Sequence, residues 1–358
     1  MRMGLRHKKP AVSCIGIDIS STSVKLLELE GKPNSIRVAS YAREPLPDDA
    51  ISDNQIINAD AVGQAIARAL KQSGTRNRNA AIGVSGTAVI SKTLFMPVEM
   101  DEEEIEQQIM FEAPQHIPYA IDDVSLDFQI LGRDPDNATR NQILLVACRR
   151  DNVDMRVAVL EIAKLKPQIV DVEEYALRNA CSLLYEQMPN KGQGKTIALF
   201  DMGARQTRLN VEHDRLNVYD RVFDFGGQKL SNDLADLHDL DGVEQLHSQL
   251  RNERLKAADI AAELRMFCDE AAQQIDDALQ FYFSAEAATE DIDQILLTGG
   301  CTLFPGFEAQ MQDLLPWPVT CANPLQGCSN SKNAKRNQID YDGASLMVAT
   351  GLSMRSIM

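Results

Sequence analysis

A chain of 358 residues, 44% hydrophobic and 25% charged, can bury a large core, and its length sets a prior of two or three domains. Its net charge of −16 is spread over helical stretches such as 101–106 and 269–277, which argues against a nucleic-acid partner, since phosphate binding needs a cationic surface. Seven widely spaced cysteines without a C-x-x-C pair, and five scattered histidines, argue against a disulfide framework and a transition-metal site. The longest apolar runs, such as 143–148 and 295–297, have strand length, far short of the roughly 20 residues of a membrane span. The basic start, 1–9, precedes no apolar segment of signal-peptide type, so a cytoplasmic chain is expected.

In chain order, 12–19 (VSCIGIDI) reads as a strand ending in an acid. Ser20, Ser21, Thr22 and Ser23 form a polar turn, 24–30 reads as a second strand, and 36–41 suits a third. Apolar residues at helical spacing mark 61–72 as a helix before a strand over 80–84. From about Lys92 the texture changes. Asp101 with Glu104 three residues later predicts a boxed helix start, and Pro114 and Pro118 predict its end. Strands over 124–131 and 142–148 flank a polar loop over 132–141, and a helix follows over 151–163. Next come a strand over 168–172, a helix over 173–185, and a strand–turn–strand over 196–201, 202–206 and 207–211. A strand over 219–225 leads to Gly226 and Gly227 and a further helix. A long apolar stripe predicts a helix over 257–284. The strand 295–297 runs into Gly299 and Gly300, 328–338 reads as a loop, and 343–352 as a last helix. Alternating strands and helices imply an α/β architecture.

Residues 14–29 and 198–212 are both strand–Asp–turn–strand units, with Asp18 and Asp201 in equivalent places. Tight turns offer backbone N–H groups to phosphate oxygens, hydroxyls add donors, and an Asp at the strand end can orient water on Mg²⁺. Either turn alone also reads as an ordinary hairpin with an Asp cap. The third element, a strand entering Gly299 and Gly300, would let an adenine and ribose lie against bare backbone. Two near-motifs fail. Gly194-Lys195-Thr196 lacks the first P-loop glycine and precedes a strand, and Gly83-Val84-Ser85-Gly86 reads as a strand end. The apolar stretch 314–318 reads as a helix end leading into a strand.

The succession GIDISSTSVKLLEL, VDVEEYALRNA, LFDMGARQTRLNV, FGGQKL and ILLTGGCTLFPGF resembles the phosphate-one, connecting, phosphate-two and adenosine segments of actin-like ATPases. Over essentially its whole length, including the ending GASLMVATGLSMRS, the chain is similar to their PilM branch, type IV pilus assembly proteins related to FtsA. The resemblance implies an actin-like (ribonuclease H-like) two-lobed α/β fold with a central nucleotide cleft and an inserted small α+β subdomain. In this division 11–91 forms the first lobe core, completed by 166–190 and 339–358. Residues 92–165 form an inserted subdomain for partner docking. The second lobe is 191–338, with a helical part over 226–290 and an adenosine motif over 295–307.

The resemblance further implies an ATP- and Mg²⁺-binding adaptor, cytoplasmic and peripheral at the inner membrane. It would bind the N-terminal cytoplasmic peptide of PilN, and through it the PilN/PilO complex and other pilus machinery, with at most weak ATPase activity; a homo-oligomer is compatible with it. Carried over by motif, Asp18 and Asp201 flank Mg²⁺, through water. Ser20, Ser21, Thr22, Ser23 and Lys25, with Gly203, Ala204, Gln206 and Thr207, hold the phosphates. Glu173 stands where a water-positioning group would lie, and Gly226, Gly227, Gly299 and Gly300 border the adenosine. The chain departs from the family pattern at Ser20, where Gly is usual, and at Gln249, where many relatives carry Lys. Two alternatives stay open: an FtsA-like membrane-associated filament protein of cell division, and a small-molecule kinase of the same superfamily. The first would need a C-terminal amphipathic membrane helix, for which 353–358 is too short, and the second a carboxylate base poised at a hydroxyl substrate.

Overall fold

The structure is a computed structural model that describes residues 13–32, 35–52, 54–285, 290–331 and 334–357; the basic stretch 1–9 and Val12 lie outside them. Met1–Asn179, Cys328–Ala334 and Val348–Met358 form one compact unit, and Ala180–Gly327 with Lys335–Met347 form a second.

In the first unit β1 (Ile15–Ile19), β2 (Ser23–Lys32) and β3 (Ser35–Pro45) form an antiparallel meander. A small hairpin of β4 (Ile51–Ser52) and β5 (Gln55–Ile56) leads to α1 (Ala59–Ser73). The helix starts where the Asn58 side chain accepts from Ala61 N, and it stops at Gly74, whose φ of 68° is left-handed backbone that favours glycine. Val62, Ala65, Ile66, Ala69 and Leu70 form its buried stripe against Ile15, Ile17 and Leu26. Each large side chain buried this way contributes about 1.5–3 kcal/mol. β6 (Asn79–Val84) then pairs in parallel with β1.

β7 (Val89–Pro97), α2 (Glu102–His116), β8 (Val124–Asp134) and β9 (Asn137–Arg149) build a smaller layer, an antiparallel sheet in the order β7-β9-β8 under one helix. Ile105, Ile109 and Ala113 of α2 meet Leu94, Phe128, Ile143 and Leu145 of the sheet in a core of their own. The boxed start at Asp101 is present, with the Asp101 carboxylate on the Glu103 and Glu104 N–H groups and Glu104 reaching back. Pro114 does not end the helix, which passes through it to His116. The carbonyl that Pro114 leaves without an intrahelical donor belongs to Met110, whose residue is 49% exposed and open to water. The expected loop at 132–141 is mostly strand, because β8 and β9 stay paired out to Asp134 and Asn137 and turn tightly between them. α3 (Arg150–Ile162) returns to the first layer, where Val153, Val159 and Leu160 share the core of α1. β10 (Lys166–Val172), parallel to β6, and α4 (Glu173–Gln187) follow.

The second unit repeats the plan. β11 (Thr196–Met202), β12 (Thr207–His213) and β13 (Leu216–Phe223) form the meander. α5 (Gln228–Leu237), α6 (Val243–Arg251) and α7 (Ala261–Phe283) follow. α7 starts later than its periodicity suggests, because 257–259 closes as a separate 3-10 turn in which Lys256 N–H donates to the Asp259 carboxylate. β14 (Gln294–Thr298) and β15 (Val319–Cys321) extend the sheet in parallel, with α8 (Phe307–Leu314) between them.

The stretch expected as a loop at 328–338 instead carries β16 (Ser329–Asn330), paired to the edge of β3, and the start of α9 (Arg336–Asp342). α10 (Met347–Met354) packs closely on β1 and α4. A β-carbon on Gly16 would stand 2.3 Å from Ala349 O, and one on Gly351 1.7 Å from Ala176 O, so small residues are required at both contacts. Ser353 Oγ accepts from Leu29 N–H at 2.9 Å and pins the helix to the sheet.

The strand orders are β10-β6-β1-β2-β3-β16 and β13-β12-β11-β14-β15. In both units the first strand of the meander lies between its antiparallel partner and a parallel strand, so chain order reverses there. Ligands of open α/β sheets bind outside the carboxyl ends of strands at such a reversal. Among the described residues no helix is long and apolar enough to cross a membrane.

Candidate functional site

In the first unit the carboxyl ends of the strands form a polar rim. Asp18 pairs across the ladder with Lys25, and Lys25 Nζ donates to Asp18 Oδ2 at 3.2 Å, both side chains being largely buried. Ile17 lies level with Ile82 on β6, and Ile82 with Val170 on β10, all three in the core shared with α1. Side chains alternate along strands, so one step on Asp18, Gly83 and Asp171 fall in a row on the opposite face. Gly83 leaves a gap in that row, and the side chain of Glu173, the first residue of α4, fills it: a β-carbon on Gly83 would stand 2.7 Å from Glu173 Cγ. Burial pushes Asp171 up to about 6, against the pull of Arg355, whose Nε lies 3.2 Å from Asp171 Oδ2 without hydrogen-bond alignment.

The turn between β1 and β2 is closed by Ser20. Its N–H donates to Ser23 O at 3.0 Å, its hydroxyl donates to the same carbonyl at 2.9 Å, and Ser23 N–H donates back to it at 3.2 Å. Ser20 and the buried Ser23 therefore shape the loop from within, while half-buried Ser21 and Thr22 form its tip.

In the second unit three glycine turns converge. Asp201 lies opposite Thr298 of β14, whose hydroxyl donates to Asp201 Oδ1 at 3.3 Å, and Arg208 Nη1 lies 3.9 Å from Asp201 Oδ2. The β11–β12 turn closes through Gly203 N–H on Gln206 O at 2.9 Å. The start of α5 docks onto it: Gly227 N–H donates to Gly203 O at 3.0 Å and Gln228 N–H to Ala204 O at 2.8 Å. A β-carbon on Gly226 would come within 2.5 Å of the Ala204 carbonyl, and one on Gly227 within 2.7 Å of Cys301 Sγ. Gly299, at φ 91°, lies so close to Met202 that a β-carbon would sit 2.4 Å from its carbonyl oxygen, whereas Gly300 faces open space. Cys301 Sγ donates to Gly203 O at 3.3 Å, and burial pushes this thiol up to about 12, so it stays protonated and acts as packing.

Gly203, Ala204, Gly226, Gly227, Gly299 and Gly300 are thus brought together. Two polar side chains of the same set are engaged elsewhere: the fully buried Thr207 donates to Phe225 O at 2.9 Å, and Gln206 donates to Asp224 at 2.9 Å. Sequence reasoning missed Asp171, Arg355, Gly83 as the seat of Glu173, and Thr298. Only Asp171, two residues before Glu173, left a local trace: a charge among the apolar, buried residues Ile169, Val170 and Val172.

Residues 16–357 match the family described as type IV pilus assembly protein PilM. The chain is similar to a solved structure of a PilM-PilN type IV pilus biogenesis complex, with 23% identity over 98% of this chain and 100% of that chain and a TM-score of 0.75. It is also similar to the ethanolamine utilization protein EutJ from Carboxydothermus hydrogenoformans, with 13% identity over 98% of this chain and 91% of that chain and a TM-score of 0.52. The repeated strand order and these likenesses give a mixed α/β fold shared with those two structures. With a match running from the first strand to the last helix, the chain belongs to the type IV pilus assembly protein PilM family.

Proposed function

We propose that this chain is an ATP-binding adaptor of the type IV pilus inner-membrane machinery, held at the cytoplasmic face through the N-terminal peptide of PilN. The observation that carries the nucleotide reading is the repeat: each unit places an acid, Asp18 or Asp201, at the carboxyl end of the strand where chain order reverses. The residues fit the ligand. Gly226, Gly227 and Gly299 let the turns pack directly on one another, since β-carbons there would meet Ala204, Cys301 and Met202, and Gly300 leaves open space beside them.

In this reading Asp18 and Asp201 orient water on Mg²⁺, which neutralises the triphosphate charge. The tips of the two turns, Ser21–Thr22 and Gly203–Ala204, present backbone to the phosphates. Lys25, now on Asp18, supplies positive charge. Glu173 holds a water near the terminal phosphate, and turnover is weak at most.

The small layer built on β7, β8 and β9 suits peptide docking. A cavity of about 430 Å³ lies between α2, the start of β8 and α3, with Met110, Ile121, Val124 and Leu126 as apolar walls and Arg150 and Asp154 at its polar side. β8 is an edge strand, so its backbone can pair with an extended peptide. The likeness to the PilM-PilN complex supports PilN as the source of that peptide.

Co-purification of the full chain with an N-terminal PilN peptide, with and without Mg-ATP, tests the reading. Retention that changes at least ~5-fold with nucleotide is expected, as for a modest coupling free energy. No retention in either condition contradicts the adaptor reading, and equal retention contradicts control by nucleotide.

A further inference from the structure

A second polar cavity, of about 200 Å³, lies in the first unit beside the end of β6 and the start of α3. Asn54, Gln55, Ser85, Thr87, Asn152 and Arg156 line it with Val84 and Ala88, and none of these is a carboxylate. In a chain of net charge −16 such a donor-rich wall is unusual in character. It shares no residue with the candidate nucleotide site, and α3 packs on the sheet face opposite Asp18.

Arg156 is 5% exposed, and its helix is fixed by Val153, Val159 and Leu160 in the core. Its Nε donates to Gly83 O at 3.2 Å and its Nη2 to Asn54 O at 3.3 Å. Both acceptors are neutral carbonyls, one of them supplied by Asn54 in a left-handed conformation at φ 60°. Burial lowers the Arg156 pKa while Glu173 and Cys148 pull it back up, but a guanidinium stays charged at any physiological pH. Among the described residues its hydrogen bonds go only to neutral carbonyls, with Glu173 acting on it through space, so an anion that completes its planar fork adds a direct charged contact. Around it, Ser85 and Thr87 hydroxyls lie 3.1 Å apart, and the amides of Asn54, Gln55 and Asn152 add donors at the rim.

We propose that this cavity binds a small carboxylate, gripped by the Arg156 guanidinium and capped by the Ser85, Thr87 and Asn152 side chains. The fork can take the two oxygens of a carboxylate side by side, and the volume admits a short acid rather than a nucleotide.

The test uses the full nucleotide-free chain with sodium succinate, its neutral isostere succinamide, and inorganic phosphate, at ionic strength matched with sodium chloride. Succinate is expected to raise the melting temperature saturably and to give a titration isotherm, with no response to succinamide. Arg156→Lys keeps the charge but loses the fork and is expected to weaken binding at least ~10-fold. Thr87→Asp, at an exposed wall position, is expected to keep the parent melting temperature and lose the response. An equal shift with succinamide, an undiminished response in Thr87→Asp, or tighter binding of phosphate than of succinate would overturn the assignment.

Discussion

Glu173 rests on the bare backbone of Gly83: a β-carbon there would meet Glu173 Cγ at 2.7 Å. The register that sets Gly83 beside Asp171, and Ile82 beside Ile17, puts the stem of that side chain over the strand position between Asp18 and Asp171. Gly83→Ala is therefore expected to displace Glu173 and to cost about 1–3 kcal/mol in urea unfolding, as overpacking does. Because the clash is with one side chain, Gly83→Ala in a Glu173→Ala background should cost less than in the parent. Full additivity in this double-mutant cycle would show that the two do not interact.

Asp171 gives a pH signature. Its folded-state pKa of about 6 lies above the ordinary 3.8, so the folded protein keeps a proton that the unfolded chain releases. That contribution to stability is complete below about pH 4 and is lost as pH rises through about 6. The stability of the parent relative to Asp171→Asn is expected to fall by on the order of 3 kcal/mol over that interval and then level off. A difference that stays flat or rises with pH contradicts the assignment.

These two residues show where the sequence was legible and where it was not. The β1–β2 turn and the Asp101 capping box are local patterns, a polar tetrad between apolar runs and an acid followed three residues on by Glu, and both appear where expected. The row Lys25–Asp18–Gly83–Asp171 depends on the register of four strands, two of them far away in the chain, which no local window contains. β7 escaped notice because Ser91, Lys92 and Thr93 are exposed in succession and hide its alternation. Thr207 carries a plausible phosphate-binding hydroxyl in the sequence, but its donor is spent on Phe225 O, a contact made only when the sheet forms.

The glycine pair at the end of β14 separates backbone need from ligand need. Gly299→Ala meets both a left-handed φ and the Met202 backbone, and is expected to cost at least about 2 kcal/mol, since neither partner can move cheaply. Gly300→Ala faces open space and is expected to leave stability within about 0.5–1 kcal/mol while weakening nucleotide binding. Equal unfolding midpoints for the two variants would contradict this division.

Met110 lines the cavity proposed for the peptide yet is half exposed, so Met110→Glu should fold normally. Peptide affinity is expected to drop by at least ~10-fold, the effect of losing about 1.4 kcal/mol of apolar contact and adding a charge to an apolar wall. Unchanged affinity by fluorescence anisotropy would move the docking surface elsewhere.

Calorimetric titration of the full chain with Mg-ATP, repeated on Asp18→Ala and Asp201→Ala, bears most directly on the nucleotide reading. One site per chain is expected, with each substitution weakening binding at least ~10-fold, equivalent to about 1.4 kcal/mol, and losing the dependence on Mg²⁺. Undetectable binding by the parent chain, or affinities that neither substitution alters, would contradict it.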